Sequence, residues 1–310
     1  MRVFLIFPLF LLAMMTACGS DARESAEQNG SVDADTGAAH TTVAGTVSAH
    51  PSRREDLGYQ PDPDLKRELQ AELLEIAQSR RTNASDEAIP TMINELYSLF
   101  RTLSVTARAL DKNGSFRTEI DTELRRFSGA DMKRESDAAK IMNGMSGVYQ
   151  MYALLAKMKF LGQPERQKEI QNINDITVQN LRPGAPAVEA AAAIADACYN
   201  LTSMIMHEID SENRFDAAFT HIERQYKQGL QVAKKEEDQY INGMFRTFEI
   251  SQLWALSLNP EREEDVSKMN QGVSDESAEA ETVGTQMGIA TRYLFFISYV
   301  IAEDTVDLTL

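Results

Sequence analysis

The sequence predicts an all-α protein, either an elongated helical bundle or an array of helical repeats. Three observations lead to this fold class. From Leu65 onward, apolar residues recur at the period of 3.6 that an amphipathic helix requires. Alternating runs rich in Val, Ile and Thr, which are typical of strands, are absent. One long segment also matches a second segment at a fixed spacing of 99 residues, which indicates an internal duplication.

The charge of the chain excludes one class of partner. The chain has 310 residues, of which 47 are acidic and 31 basic, and its formal net charge is -16. A surface of this sign repels phosphate backbones, and no run of Lys and Arg interleaved with aromatic residues opposes it. We therefore expect no nucleic-acid partner.

Residues 1–17 have the order of a secretory signal peptide. Arg2 supplies a positive head, an apolar run extends from Val3 to Met15, and Thr16 and Ala17 follow. The apolar run is shorter than the roughly 20 residues that a transmembrane helix needs. The segment therefore predicts export, with removal of these residues.

The end of this segment, Met15-Thr16-Ala17-Cys18-Gly19, resembles the lipobox of bacterial lipoproteins. Met15 departs from the Leu that is usual in that family. The resemblance implies cleavage before Cys18, a diacylglycerol on its thiol and a fatty acyl group such as palmitate on its amine. Each buried methylene contributes about 0.8 kcal/mol to such an anchor. Because Gly19 stands where some lipoproteins have Asp, the resemblance favours the outer membrane, facing the periplasm.

Residues 18–64 are predicted to form the lipidated Cys18 and a disordered acidic tether. Gly, Ser, Ala, Thr, Asp and Glu dominate this stretch, and no large apolar residue precedes Leu57. After the cysteine it carries nine acidic and three basic residues. Such a composition cannot bury enough apolar surface to fold, so we expect an extended spacer between membrane and domain.

Residues 65–310 are predicted to form the helical domain, with duplicated units at about 87–166 and 186–262 and a closing helix at about 278–304. When 111–156 is laid over 210–255 without a gap, eight of 46 positions are identical. Each unit is predicted to contain a helix, a tight turn, a long helix and a connector that starts with Pro. The sequence leaves open whether each long helix is continuous.

Gly144 and Gly243 stand inside the predicted long helices, each within the sequence Asn-Gly-Met. A Gly in a helix interior costs about 0.5–1 kcal/mol relative to Ala, so it needs a compensating role. We expect each to mark a close helix crossing. The alternative is a backbone opening for a ligand.

His207, Glu208 and His221 are the candidate metal ligands, because His with carboxylate suits Zn or Fe. Helical geometry argues against them, since both imidazoles are predicted to point away from the apolar faces of their helices. The corresponding positions of the first unit, Arg108 and Thr122, carry no histidine. No phosphate loop, nucleophile elbow or paired-cysteine motif occurs, and no cofactor is predicted beyond the lipid on Cys18.

These patterns together predict a non-enzymatic scaffold, anchored by lipid in the cell envelope, that binds the membrane through the anchor and another envelope protein through a helical surface. Two alternatives remain open. One is a metal-dependent enzyme or metal binder that uses His207 and His221. The other is a small-ligand carrier with a cavity between the duplicated halves.

Overall fold

The computed structural model describes residues 63–85, 87–128, 135–181 and 186–310. Within these ranges the chain forms ten α-helices and no β-strand, which confirms the predicted all-α fold. The predicted signal peptide, Cys18 and the tether up to residue 62 lie outside the described residues.

The ten helices are joined mostly by short turns. Their bounds are α1 Pro63–Thr82, α2 Ala88–Leu110, α3 Arg117–Ser128, α4 Asp137–Lys159, α5 Pro164–Asn180, α6 Ala187–Ile209, α7 Asp216–Val232, α8 Glu236–Leu258, α9 Glu263–Glu279 and α10 Val283–Thr309. A short 3₁₀-helix, Pro260–Arg262, precedes α9.

Even-numbered and odd-numbered helices play different roles. The even-numbered helices α2, α4, α6 and α8 each have 23 residues, α10 has 27, and these five contain most of the buried residues. The odd-numbered helices are shorter and mainly exposed. We call the two sets the inner and outer helices. Each outer helix precedes an inner helix, so the chain consists of five helical hairpins.

The five inner helices form a ring. α2 packs against α4, α4 against α6, α6 against α8, and α8 against α10. α10 also packs against α2, so the last hairpin meets the first. In place of an open array, the hairpins therefore form a closed circle with the apolar faces of the inner helices inside. Tyr149, Tyr152 and Tyr240 are among the largest fully buried side chains of this core.

The predicted long helices are not continuous. The first consists of α3, which ends at Ser128, and α4, which begins at Asp137. The Ser136 hydroxyl accepts a hydrogen bond from Ala139 N and so caps α4. In the second unit α7 ends at Val232 and α8 begins at Glu236. Each predicted long helix is therefore two helices in the structure.

The structural period is half the predicted one. The inner helices begin at Ala88, Asp137, Ala187, Glu236 and Val283, so successive starts are 47 to 50 residues apart. The 99-residue spacing of the sequence match therefore corresponds to two hairpins. Common ancestry of the units at about 87–166 and 186–262 stays a prediction.

The turns after α2 and α6 share one hydrogen-bond pattern. Asp111 Oδ2 accepts a hydrogen bond from Phe116 N at 3.0 Å, and Asp210 Oδ2 accepts one from Phe215 N at 2.8 Å. Both carboxylates thereby satisfy a backbone donor near the start of the next helix. These four residues belong to the identical pairs of the sequence match, so turn geometry accounts for that part of it.

Both turns also contain a residue in the left-handed region at the same place. Gly114 has φ +66°, and Asn213, 99 positions later, has φ +55°. Gly and Asn are the residues that adopt this conformation at least cost. The predicted tight turn at Gly114 is thus present in the structure.

Within the described part of the chain, no helix has both the length and the apolar character needed to cross a bilayer.

Candidate functional site

Gly144 and Gly243 lie where inner helices approach each other closely. A Cβ atom placed on Gly144 of α4 would lie 2.9 Å from Cβ of Leu96 on α2. One placed on Gly243 of α8 would lie 2.9 Å from Cβ and 3.0 Å from the carbonyl carbon of Ala195 on α6. The two glycines therefore occupy corresponding crossings, α2 with α4 and α6 with α8.

The three candidate metal ligands lie on α6 and α7. His207 is exposed at the end of α6 and packs on the Phe219 ring, with ring centroids 3.8 Å apart. Glu208 Oε1 accepts a hydrogen bond from Gln163 Nε2 at 3.4 Å. His221 lies half-buried on α7. The residues that the structure describes contain no group of three or more His, Cys, Asp or Glu side chains able to hold a metal ion.

His221 instead lies near a buried ion pair of α8. Arg246 Nη1 donates hydrogen bonds of 2.7 Å to Glu249 Oε2 and to Gln225 Oε1. Burial lowers the pKa of Arg246 and raises that of Glu249. Burial, followed by the charges of Arg224 and Arg246, lowers the pKa of His221. The imidazole is therefore held in its neutral form to a lower pH than usual.

A groove of about 520 Å³ lies between α1, α2 and the start of α4. Its lining includes Asn83, Asn94, Tyr97 and the ion-paired Asp137 and Lys140. Burial, and then the charge of a nearby carboxylate, raises the pKa of the Tyr97 hydroxyl to about 12. The groove thus presents neutral and paired groups rather than a single sign of charge.

A second groove, of about 510 Å³, lies where the last hairpin meets the first. We call it the seam groove. It is bordered by the second half of α1, the start of α9 and the middle of α10. Its lining combines four basic, two acidic, three aromatic and three aliphatic side chains, namely Arg80, Arg81, Arg262, Lys268, Asp265, Glu303, Phe295, Phe296, Tyr299, Ala77, Met269 and Val300. Neither groove lies between the units predicted at about 87–166 and 186–262.

Aromatic rings form one wall of the seam groove. Phe295 is buried, and its ring centroid lies 5.7 Å from that of Phe296 and 5.9 Å from that of Tyr299. The Arg80 guanidinium carbon lies 4.9 Å from the centroid of Phe295 and 4.5 Å from that of Phe296. At these distances the cation interacts favourably with the ring faces. The rings of this wall are inclined to one another, and the guanidinium beside them is ion-paired with Glu95.

Arg262 forms hydrogen-bonded ion pairs at one end of the seam groove. Its Nε lies 3.1 Å from Asp304 Oδ2 and its Nη2 lies 2.9 Å from Asp304 Oδ1. Nη2 also lies 3.2 Å from Glu303 Oε2, and Nη1 lies 3.1 Å from Asp265 Oδ2. Hydrogen bonding to these carboxylates, with Asp304 the main partner, raises the pKa of Arg262. Arg262 is a fixed structural link between the 3₁₀-helix, α9 and α10.

Arg81 and Lys268 supply the solvent-facing cations of the seam groove. Arg81 is exposed near the end of α1, and the Lys268 side chain on α9 is 69% exposed. Lys268 pairs with Glu264 of its own helix at 2.6 Å, and such exposed pairs are weak in water. Burial and Glu303 raise the pKa of the Tyr299 hydroxyl, whereas Arg81 opposes this shift.

The sequence patterns do not predict the seam groove, because its lining comes from three distant segments, 77–81, 262–269 and 295–303. Its local signals are the neighbouring pairs Arg80-Arg81 and Phe295-Phe296. In a helical sequence a pair of arginines ordinarily indicates a solvated face, and a pair of phenylalanines ordinarily indicates a core face. Only the packing of α1 on α10 places them together.

Comparisons of the chain with known protein families, with curated proteins and with solved structures gave no match.

Proposed function

We propose that this protein is a non-enzymatic lipoprotein of the cell envelope whose helical ring binds another envelope protein. In this proposal Cys18 carries the lipid, and the acidic segment up to residue 62 connects the anchor to α1. The resemblance of Met15–Gly19 to a lipobox supports the anchor, and the preceding apolar run supports export. The outer membrane, facing the periplasm, is the proposed location.

The observation on which the binding role rests is the seam groove. Aromatic side chains and Arg are enriched in protein interfaces, because they combine a large contact area with directed polar contacts. The seam groove has both kinds of side chain in partly exposed positions on a strongly acidic protein. Its wall is also held in place by the Arg80 and Arg262 contacts, so little order needs to be gained on binding.

The anchor is tested by metabolic labelling with a radioactive fatty acid. We expect label in the complete chain, recovery of the protein in the membrane fraction, and loss of both in Cys18→Ser. Labelled Cys18→Ser protein, or an unlabelled and freely released parent protein, would contradict the proposed anchor.

The binding role is tested by photo-crosslinking in intact cells. A photoreactive amino acid at Lys268, in the seam groove, is compared with one at Lys227 on α7, which is similarly exposed and also pairs with a Glu four residues earlier. We expect a discrete envelope-protein adduct from position 268 and none from position 227. Absence of adducts at both positions, with the protein correctly localised, would count against the proposal.

A further inference from the structure

The five inner helices run in the same direction and in register. Each is separated from the next by an outer helix that returns the chain to the starting end of the ring. At two crossings the close contacts join residues at almost the same distance from their helix starts, Gly144 with Leu96 and Gly243 with Ala195. Residues at equal distances from the five starts therefore form layers across the ring.

One such layer contains hydroxyl groups from four of the five inner helices. We call it the hydroxyl layer. It consists of the residues that lie 15 positions after the first residue of each inner helix, namely Leu103, Tyr152, Thr202, Ser251 and Ser298. None of them is more than 3% exposed. The layers four positions before and four positions after it are also buried, with every residue at most 1% exposed. Bulk water therefore does not reach these hydroxyls.

Two of the four hydroxyls already donate a hydrogen bond. Thr202 Oγ1 donates to the Cys198 carbonyl and Ser251 Oγ donates to the Thr247 carbonyl, both at 2.7 Å. Each bond stays within its own helix and uses the only proton of the hydroxyl. The oxygen lone pairs of Thr202 and Ser251 remain available as acceptors.

The other two hydroxyls are buried without a hydrogen bond. Among the residues that the structure describes, none bonds to Tyr152 Oη or to Ser298 Oγ. Burial, the largest effect, raises the pKa of the Tyr152 hydroxyl, and the nearby hydroxyls of the other three residues oppose it. The four groups are thus close together, yet two donors and two acceptors do not bond one another. A buried hydroxyl without a partner is costly, because it gives up its hydrogen bonds to solvent.

We infer that the hydroxyl layer is a binding site for a buried water molecule at the centre of the ring. The water accepts hydrogen bonds from Tyr152 and Ser298, and it donates to Thr202 and Ser251. Buried waters in proteins typically make about three such bonds to polar groups that lack other partners. The hydroxyl layer has no charged side chain, which favours a neutral molecule over an ion, and its burial favours one as small as water.

The direct test is high-resolution diffraction from crystals of the complete chain purified in detergent. We expect an electron-density peak about 2.6–3.1 Å from Tyr152 Oη and from Ser298 Oγ, with Thr202 or Ser251 as a further neighbour. A direct bond between Tyr152 Oη and Ser298 Oγ, with no such peak, would overturn the inference.

A double-mutant cycle tests the bridge in solution. Tyr152→Phe and Ser298→Ala are compared singly and together by thermal unfolding of the complete chain, followed by circular dichroism. We expect each single change to lower Tm by about 2–8 °C. Together they should lower it by less than the sum of the two, because the double variant leaves neither hydroxyl without its bridge.

Tyr240→Phe is the matched control. Tyr240 is also fully buried on an inner helix, but its hydroxyl bonds directly to Thr291 at 3.1 Å. The effects of Tyr240→Phe and Ser298→Ala on Tm should therefore add, to within about 1 °C. A coupling as large as that between Tyr152 and Ser298 would show that the cycle detects general loosening of the core, and the inference would fail.

Ser251→Ala distinguishes a water bridge from a direct bond. Because Ser251 accepts from the same water, Ser251→Ala should also be less than additive with Ser298→Ala. A direct bond between Tyr152 and Ser298 would couple those two residues alone. Additive effects at Tyr152 and Ser298, or at Ser251 and Ser298, would contradict the inference. Neither result bears on the lipid anchor or on partner binding, which are measured by labelling and crosslinking.

Discussion

Arg80 on α1 and Glu95 on α2 form a doubly hydrogen-bonded ion pair, in which Arg80 Nε and Nη2 each lie 2.7 Å from a carboxylate oxygen of Glu95. Arg292 of α10 lies 3.6 Å from the same carboxylate. The Glu95 side chain is only 4% exposed, so its charge is compensated almost entirely by these two guanidinium groups. One buried carboxylate therefore joins the first hairpin to the last inner helix.

We expect Glu95→Gln to lower the free energy of unfolding by about 3 kcal/mol, because removing one member of a buried ion pair leaves the other poorly compensated. Urea unfolding followed by circular dichroism measures this change. Glu75→Gln is the control, since Glu75 is 65% exposed and pairs with Arg101 at 3.1 Å. It should cost less than about 1 kcal/mol. Equal losses in the two variants would show that burial of Glu95 is not decisive.

Gly243→Ala should destabilise the ring by about 1–3 kcal/mol, because its Cβ would meet the backbone of Ala195, which cannot move independently of α6. The matched substitution is Gly288→Ala on α10, where a Cβ has no neighbour within 4 Å. That change should instead stabilise by about 0.5–1 kcal/mol through helix propensity. Thermal and urea unfolding of both variants measure the difference, and a stabilising Gly243→Ala would disprove the close crossing.

The lowered pKa of His221 predicts a pH dependence of stability. An imidazole whose pKa is lower in the folded chain than in the unfolded chain binds its proton more tightly after unfolding. Stability therefore falls as the pH drops below 6.5, the ordinary value, toward the lower folded-state pKa. We expect His221→Asn to lessen this fall between about pH 7 and about pH 5.

His207→Asn is the control for this measurement, because His207 is exposed. Urea unfolding at a series of pH values compares the two variants with the parent chain. If His207→Asn changed the slope as much as His221→Asn does, the burial and charges around His221 would not be its cause.

Cys198 should be protected from alkylation in the folded chain. Its side chain is fully buried on α6, and burial raises the pKa of its thiol, so little reactive thiolate forms. We expect iodoacetamide to label Cys198 only after unfolding in urea, as measured by peptide mass spectrometry. Cys18, if lipidated as proposed, should be unlabelled in both states. Rapid labelling of Cys198 in the folded chain would contradict its burial.

The helical class and many turns are predictable from the sequence because they depend on local spacing. The Asp111 and Asp210 turns illustrate this, since a carboxylate, a left-handed residue and a following helix lie within six positions. The break between α3 and α4 also has a local signal, Ser128-Gly129, although the sequence alone does not decide whether the helix continues.

Ring closure and the seam groove are not predictable in the same way. The Thr309 hydroxyl donates to the Ala109 carbonyl across 200 residues of sequence, and no local pattern specifies such a contact. The sequence match at 99 residues also obscures the shorter period of one hairpin. The turns after α2 and α6 resemble each other more than either resembles the turns that lie between them along the chain. The seam groove requires Arg81, Lys268 and Phe296 to meet from three helices, so it exists only once the ring is closed.

The closing contacts join residues near opposite ends of the domain. Lys66 Nζ lies 3.3 Å from the Asp307 carbonyl oxygen and Gln70 Nε2 lies 3.1 Å from Asp307 Oδ1, across 241 and 237 positions. During synthesis, therefore, α2 and α8 each keep an apolar face uncovered until α10 has left the ribosome. Such long-range pairing makes folding slow. Loss of α10 would consequently open the ring and leave the facing sides of α2 and α8 exposed to proteases and chaperones.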